Sequence, residues 1–204
     1  MTAKTPDAQF KDLAAAQIED LSPRERILKT ASDLFYKHGI NSTGIDRIIA
    51  ESGVAKMTFY RHFPSKCCLV AEYLAHRDQA WQRLLDESAG DTSKPPLERL
   101  LAIFNALERS IKNPGFYGCP FIKTLAEFGP ERNEPQVQER LDSHFEGMEA
   151  VVGRLLKEIR PKDSKNLVAP VMSLICGTIV VAQATGRTDI ATKNREVVKA
   201  LLRD

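Results

Sequence analysis

Apolar residues in this chain recur every third or fourth position, with no convincing alternation of period two. In "SPRERILKTASDLFYKHG", Ile27, Leu28, Ala31, Leu34 and Phe35 fall on one helical face. Ser22, Pro23 and Glu25 supply a cap, a first-turn proline and a capping-box acid, and Gly39 stops the run. Pro and Gly punctuate the rest at "GDTSKPP", "KNPGFYG", "GPERNEP", "RPKD" and "TGR". The pattern predicts an all-α chain of about nine helices: a three-helix head, then a larger helical body. The head is expected over 22–66 and the body over 67–204, with helices near 65–88, 96–111, 119–128, 135–160, 166–185 and 189–203. Residues 1–21 read as a polar tail, with one helical piece in "QFKDLAAAQIEDL".

The head is where function is legible. "NSTGIDRIIAESG" predicts a short helix capped by Thr43, with Ile45, Ile48 and Ile49 inward and Asp46, Arg47 and Glu51 outward. A tight turn at Gly53 leads into "KMTFYRHF", a second short helix broken by Pro64. Two short helices joined by a glycine turn and packed by a third make a helix-turn-helix, whose second helix enters the DNA major groove. Charge agrees: residues 22–66 carry eight Lys/Arg against four Asp/Glu, whereas 67–204 carry nineteen of each. A localised basic segment fits a polyanion. Lys56, Arg61, His62 and Lys66 suit phosphate oxygens, as does Arg47, and the Thr58 and Tyr60 hydroxyls can donate to the same backbone. Lys56, Met57 and Thr58 stand at the helix N-terminus, which reaches base edges. Phe59 and Phe63 remain to anchor the helix inward.

"TGIDRIIAESGVAKMTFYRHFPSK" resembles the DNA-binding signature of TetR-type transcriptional regulators. The match runs from about Ile27 to Leu69. The resemblance implies a homodimer through the last two helices, a double-stranded operator of two half-sites, and a small-molecule effector bound in the body. It implies that Tyr60, His62 and Lys66 touch phosphates, and that the first residues of the reading helix touch bases. Thr43 joins the expected DNA-contact set on the same ground. "GCPFIKTLAEFGPERNEPQV" is similar to a subset of these regulators sharing a Gly-Cys-Pro-Phe helix opening. Cys67–Cys68 replace an acidic residue common in the family, and an acidic tail precedes Ser22.

In the body, Trp81, Phe104, Phe121, Phe128, Phe145 and Met172 are the expected lining of an effector pocket. Gly177, Ala182 and Ala184 lie on a helix apolar nearly all round, expected to be buried on two sides. Its apolar run, 167–182, is short for a membrane span, so no membrane partner is expected. No leader is visible, and a cytoplasmic location is expected. The cysteines (67, 68, 119 and 176) and His38, His76 and His144 show no metal spacing, and no cofactor is expected. Cys119, at a predicted helix start, is the candidate redox thiol of an alternative, thiol-gated regulator. An enzyme with Cys119 as nucleophile is the rival from another class; it lacks a recognisable histidine arrangement.

Overall fold

A computed structural model describes residues 21–129 and 134–203. The helical piece expected within 1–21 lies outside them. The described residues form nine α-helices and no strand: α1 Pro23–His38, α2 Ile45–Ser52, α3 Lys56–His62, α4 Lys66–Ala89, α5 Pro96–Ile111, α6 Pro120–Phe128, α7 Pro135–Ile159, α8 Ser164–Thr185 and α9 Ile190–Leu201. Their ends fall close to the expected breaks because the chain supplies local stops. Ser22 and Glu25 form the reciprocal capping box: the Ser22 amide donates to Glu25 Oε2 at 2.9 Å and the Glu25 amide to Ser22 Oγ at 3.4 Å. Ser65 Oγ accepts the Cys68 amide at 3.1 Å and so caps α4.

The second helix begins differently from expectation. Its N-cap is Gly44, with no side-chain cap. Thr43 instead turns inward, wholly buried, and its hydroxyl donates to the Gly39 carbonyl at 2.7 Å. That bond closes the loop after α1, and Thr43, one position before the N-cap and turned inward, does not cap α2.

The chain divides into two compact units that do not follow chain order. One holds the described residues up to Gln79 and, from far along the chain, Pro120–Ser143; the other holds Ala80–Cys119 and the described residues from His144 onward. The sixth helix therefore belongs to the unit that contains the three-helix head. The core of that unit is Ile27, Ala31, Leu34 and Phe35 of α1, Ile48 of α2, Phe59 and Phe63, and Leu69, Val70, Tyr73 and Leu74 of α4, all buried. Phe35 and Tyr73 meet edge-on, ring centroids 5.6 Å apart. Each such side chain contributes about 1.5–3 kcal/mol by leaving water, which outweighs the weak intrinsic stability of helices as short as α2 and α3.

The other unit packs α5, α8 and α9 together with the rest of α4 and α7. Its core includes Leu100, Ile103, Phe104, Leu107, Val152, Leu155, Leu156, Val171 and Val198. Asn194 of α9 donates to Thr178 Oγ1 of α8 at 2.8 Å, a polar crosslink in an otherwise apolar seam. Buried Arg99 gives its Nε hydrogen to the Ala89 carbonyl at 2.7 Å and faces Glu158 at 3.5 Å, so its charge is partnered. The α8 helix is longer than its apolar run: 22 residues, long and apolar enough by composition to cross a membrane. Only 28% of its most apolar window is buried within this chain.

Candidate DNA-binding surface

The turn between α2 and α3 depends on Gly53, which ends α2 in the left-handed region at φ 63°. The seven-residue α3 is then held by Phe59, wholly buried, and by Phe63 just past its end. These two rings pack 6.2 Å apart. Because Phe59 points inward, the neighbours out of phase with it point out. Met57 is 83% exposed and Tyr60 40%, the Tyr60 ring resting edge-on against Phe59 at 5.3 Å. Lys56 and Arg61 are exposed, and Thr58 and His62 are half-buried. Lys66 is half-buried at the start of α4; burial pulls its ammonium below the usual lysine range, while the Glu127 carboxylate opposes that shift.

Of the expected DNA contacts, the structure gathers Lys56, Met57, Thr58, Tyr60, Arg61 and His62 on one short helix. Arg47 is exposed on α2 and bonds Glu51 one turn away at 2.6 Å. Lys56 reaches Asp46 at 3.7 Å, an exposed pair worth little in salt. Thr43 does not belong to this surface: buried and bonded to Gly39, it has no hydroxyl to offer DNA.

Two residues of the site were not legible in the sequence. Arg24 of α1 pairs with Glu72, places its guanidinium 5.3 Å from the Phe63 ring centre, and shares with His62, Cys68, Gln136, Glu139 and Arg140 the wall of a polar cleft of about 270 Å³. Its cue was only a basic residue in a capped first turn. Glu127 of α6 bonds the loop after α1, and nothing in the sequence links positions so far apart.

The expected effector residues are divided between the two units. Phe121 and Phe128 fall in the unit with the head, and Trp81, Phe104, Phe145 and Met172 in the other. Within that other unit Trp81 and Phe145 flank His144, ring centroids 6.2 and 5.3 Å from it. Trp81 Nε1 is buried, with no hydrogen-bond partner among the described residues. Phe104 is wholly buried. Cys119 is a buried cysteine just before α6. Burial, and then the Glu134 side chain, push the Cys67 thiol up to about 11; burial raises Cys176 too.

Comparison with known proteins settles the family. The profile described as "Bacterial regulatory proteins, tetR family" matches residues 27–73, and that described as "Tetracyclin repressor-like, C-terminal domain" matches 96–198. The chain belongs to the TetR family. A TetR-family regulator from Streptomyces coelicolor, SCO4454, superposes with a TM-score of 0.82 at 28% identity, over 89% of this chain and 95% of that one. YxaF of Bacillus subtilis, an uncharacterized HTH-type transcriptional regulator, is 29% identical over 78% of this chain and 84% of its own length. The HTH-type transcriptional repressor KstR of Rhodococcus jostii is 26% identical over 89% of this chain and 83% of its own. As a TetR-family member the chain is a DNA-binding transcriptional regulator, and its α2–turn–α3 is the helix-turn-helix of that family.

Proposed function

We propose that this chain is a homodimeric, cytoplasmic repressor that leaves its operator when a small molecule binds the helical body, and that it is not an enzyme. The observation that carries the reading is the presentation of α3: Phe59 is locked inward while Lys56, Met57, Tyr60 and Arg61 face solvent. Cations and hydroxyls on a helix this short have no interior to serve, and they match phosphate and base edges. The sign of regulation rests on kinship with KstR, named a repressor.

Dimerisation through α8 and α9 is supported by Val180, Val197 and Leu201, which are 44%, 51% and 42% exposed on these two helices. A second copy laid on this face would complete a four-helix seam. To meet successive major grooves, the two reading helices of the dimer must stand about 34–36 Å apart, one turn of B-DNA. Val197→Glu is expected to shift the protein from dimer to monomer in sedimentation.

Operators recovered by selection from random duplex DNA test the reading. With about eight phosphates neutralised, log affinity against log salt should fall with a slope near −7. A flat response would reject it. The one tryptophan in the sequence, Trp81, allows the effector to be sought by fluorescence with the operator complex in the same cuvette. A ligand that releases DNA must bind the two conformers unequally; a coupling of about 1–3 kcal/mol changes operator affinity roughly 5–150-fold.

A further inference from the structure

We propose that Glu127 is a positioning residue for the DNA-reading head, fastening α6 to the loop from which the helix-turn-helix is suspended; this rests on the reading of the chain as a DNA-binding regulator. The Glu127 carboxylate accepts the backbone N–H of Ile40 at 3.0 Å and of Asn41 at 2.6 Å. Its own carbonyl accepts Asn41 Nδ2 at 3.1 Å. Three hydrogen bonds thus join the last turn of α6 to two consecutive residues 86–87 positions away in the chain. These amides lie past the end of α1, whose C-cap is Gly39. A carboxylate bonded to backbone N–H groups is among the stronger neutral–charged contacts.

Lys123, one turn earlier on α6, repeats the attachment with the opposite charge. It donates to the Tyr36 carbonyl in the last turn of α1. A cation at a helix C-terminus and an anion at the amides beyond it both match the local backbone dipoles. The Tyr36 ring lies 3.7 Å from the Arg77 guanidinium and 5.5 Å from the Lys123 ammonium, so this corner is fixed from α4 as well. Glu127 also acts electrostatically on Lys66, the first residue of α4 and an expected phosphate contact. One side chain thus holds the entry to α2–turn–α3 and partly offsets the effect of burial on Lys66. Glu127 is itself half-buried and lies outside the apolar core of the head, so its removal should loosen orientation before it unfolds anything.

The test uses the full-length protein, with Glu127→Ala and Glu127→Gln. The probes are the operator selected by wild type, the same duplex with its half-site centres moved by one or two base pairs, and a random duplex of equal length. Glu127→Ala is expected to weaken the selected operator about tenfold, the worth of one charge-assisted hydrogen bond. It should flatten the preference for half-site spacing and speed hydrogen exchange at Ile40 and Asn41. Binding to the random duplex should stay within about twofold, because the phosphate-facing cations remain. Glu127→Gln, keeping one acceptor oxygen, should fall between. Wild-type spacing preference in Glu127→Ala would overturn the proposal, as would equal losses on every duplex that track a lowered thermal midpoint. Failure of wild type to bind any duplex would instead remove the regulator reading on which it stands.

Discussion

Gly118 and Gln183 meet so closely that a methyl group on Gly118 would fall 1.8 Å from Gln183 Oε1. Gly118 also sits at φ 92°, in the region open to glycine. It immediately precedes Cys119 and α6, so this contact fixes where the segment leading into α6 meets α8 within one compact unit. Gly118→Ala is expected to cost about 1–3 kcal/mol of stability from backbone strain alone, plus the displacement of Gln183. Gln183→Ala in the same chain should restore the steric part and leave the strain. Urea unfolding of the two variants and their combination measures both; full rescue would show that φ at Gly118 carries no penalty.

Thr43→Val removes the buried hydroxyl bonded to Gly39 without changing shape. A loss of about 1 kcal/mol in unfolding free energy is expected. The random-duplex affinity of the folded protein should not change. A direct role for Thr43 at phosphate would appear as weaker binding of the variant to every duplex, with the salt slope unchanged.

On α3, Tyr60→Phe should weaken binding alike on every operator, since its hydroxyl is exposed where a phosphate contact carries no sequence information. Lys56→Ala should change which bases are preferred, because Lys56 stands in the first turn of the reading helix. Selection from random duplexes with each variant separates the two. Uniform loss for Lys56→Ala would reassign it to the backbone.

The Ser22 hydroxyl, followed by the Ser22 amide, holds the Glu25 carboxyl below its ordinary value. A carboxylate with a lowered folded value contributes stability above its unfolded value, and that contribution is lost as pH falls through the folded one. Glu25→Gln can still form the capping box but lacks the charge. Wild type should therefore exceed Glu25→Gln in thermal midpoint at pH 7, and the gap should narrow as pH falls below the unfolded glutamate value of about 4.3. A gap that is constant with pH would remove the charge from the account.

Cys67, pushed up to about 11 chiefly by burial, has almost no thiolate at neutral pH. Iodoacetamide should label it more slowly than a model thiol at pH 8, with mass spectrometry reading the site. Labelling as fast as an ordinary cysteine would show that burial does not protect the Cys67 thiol.

The local signals of the sequence carried far. Ser22, Gly53, Pro64 and Gly186 are short-range stops, and a helix end needs only the few residues around it. The inward set of α1, α2 and α3 was readable because Ile27, Ala31, Phe35, Ile48 and Phe59 repeat at helical spacing. The outward face of α3 followed by subtraction. Thr43 misled because threonine caps and threonine back-bonds look alike in sequence; whether Gly39's carbonyl or α2's amides take the hydroxyl depends on how the loop folds back.

The sequence by itself determined the nine helices of the described residues, the turn between α2 and α3, and which ring of α3 turns inward. These are properties of neighbours along the chain, set by sterics, capping and the 3.6-residue period. Tertiary structure alone decided that α6 joins the head's compact unit, that Glu127 takes the Ile40 and Asn41 amides, that Arg24 lies beside Phe63, and that Gly118 must leave room for Gln183. Each of these is a contact between segments far apart in sequence. Such contacts are chosen by which surfaces bury best together, and no single segment carries that information.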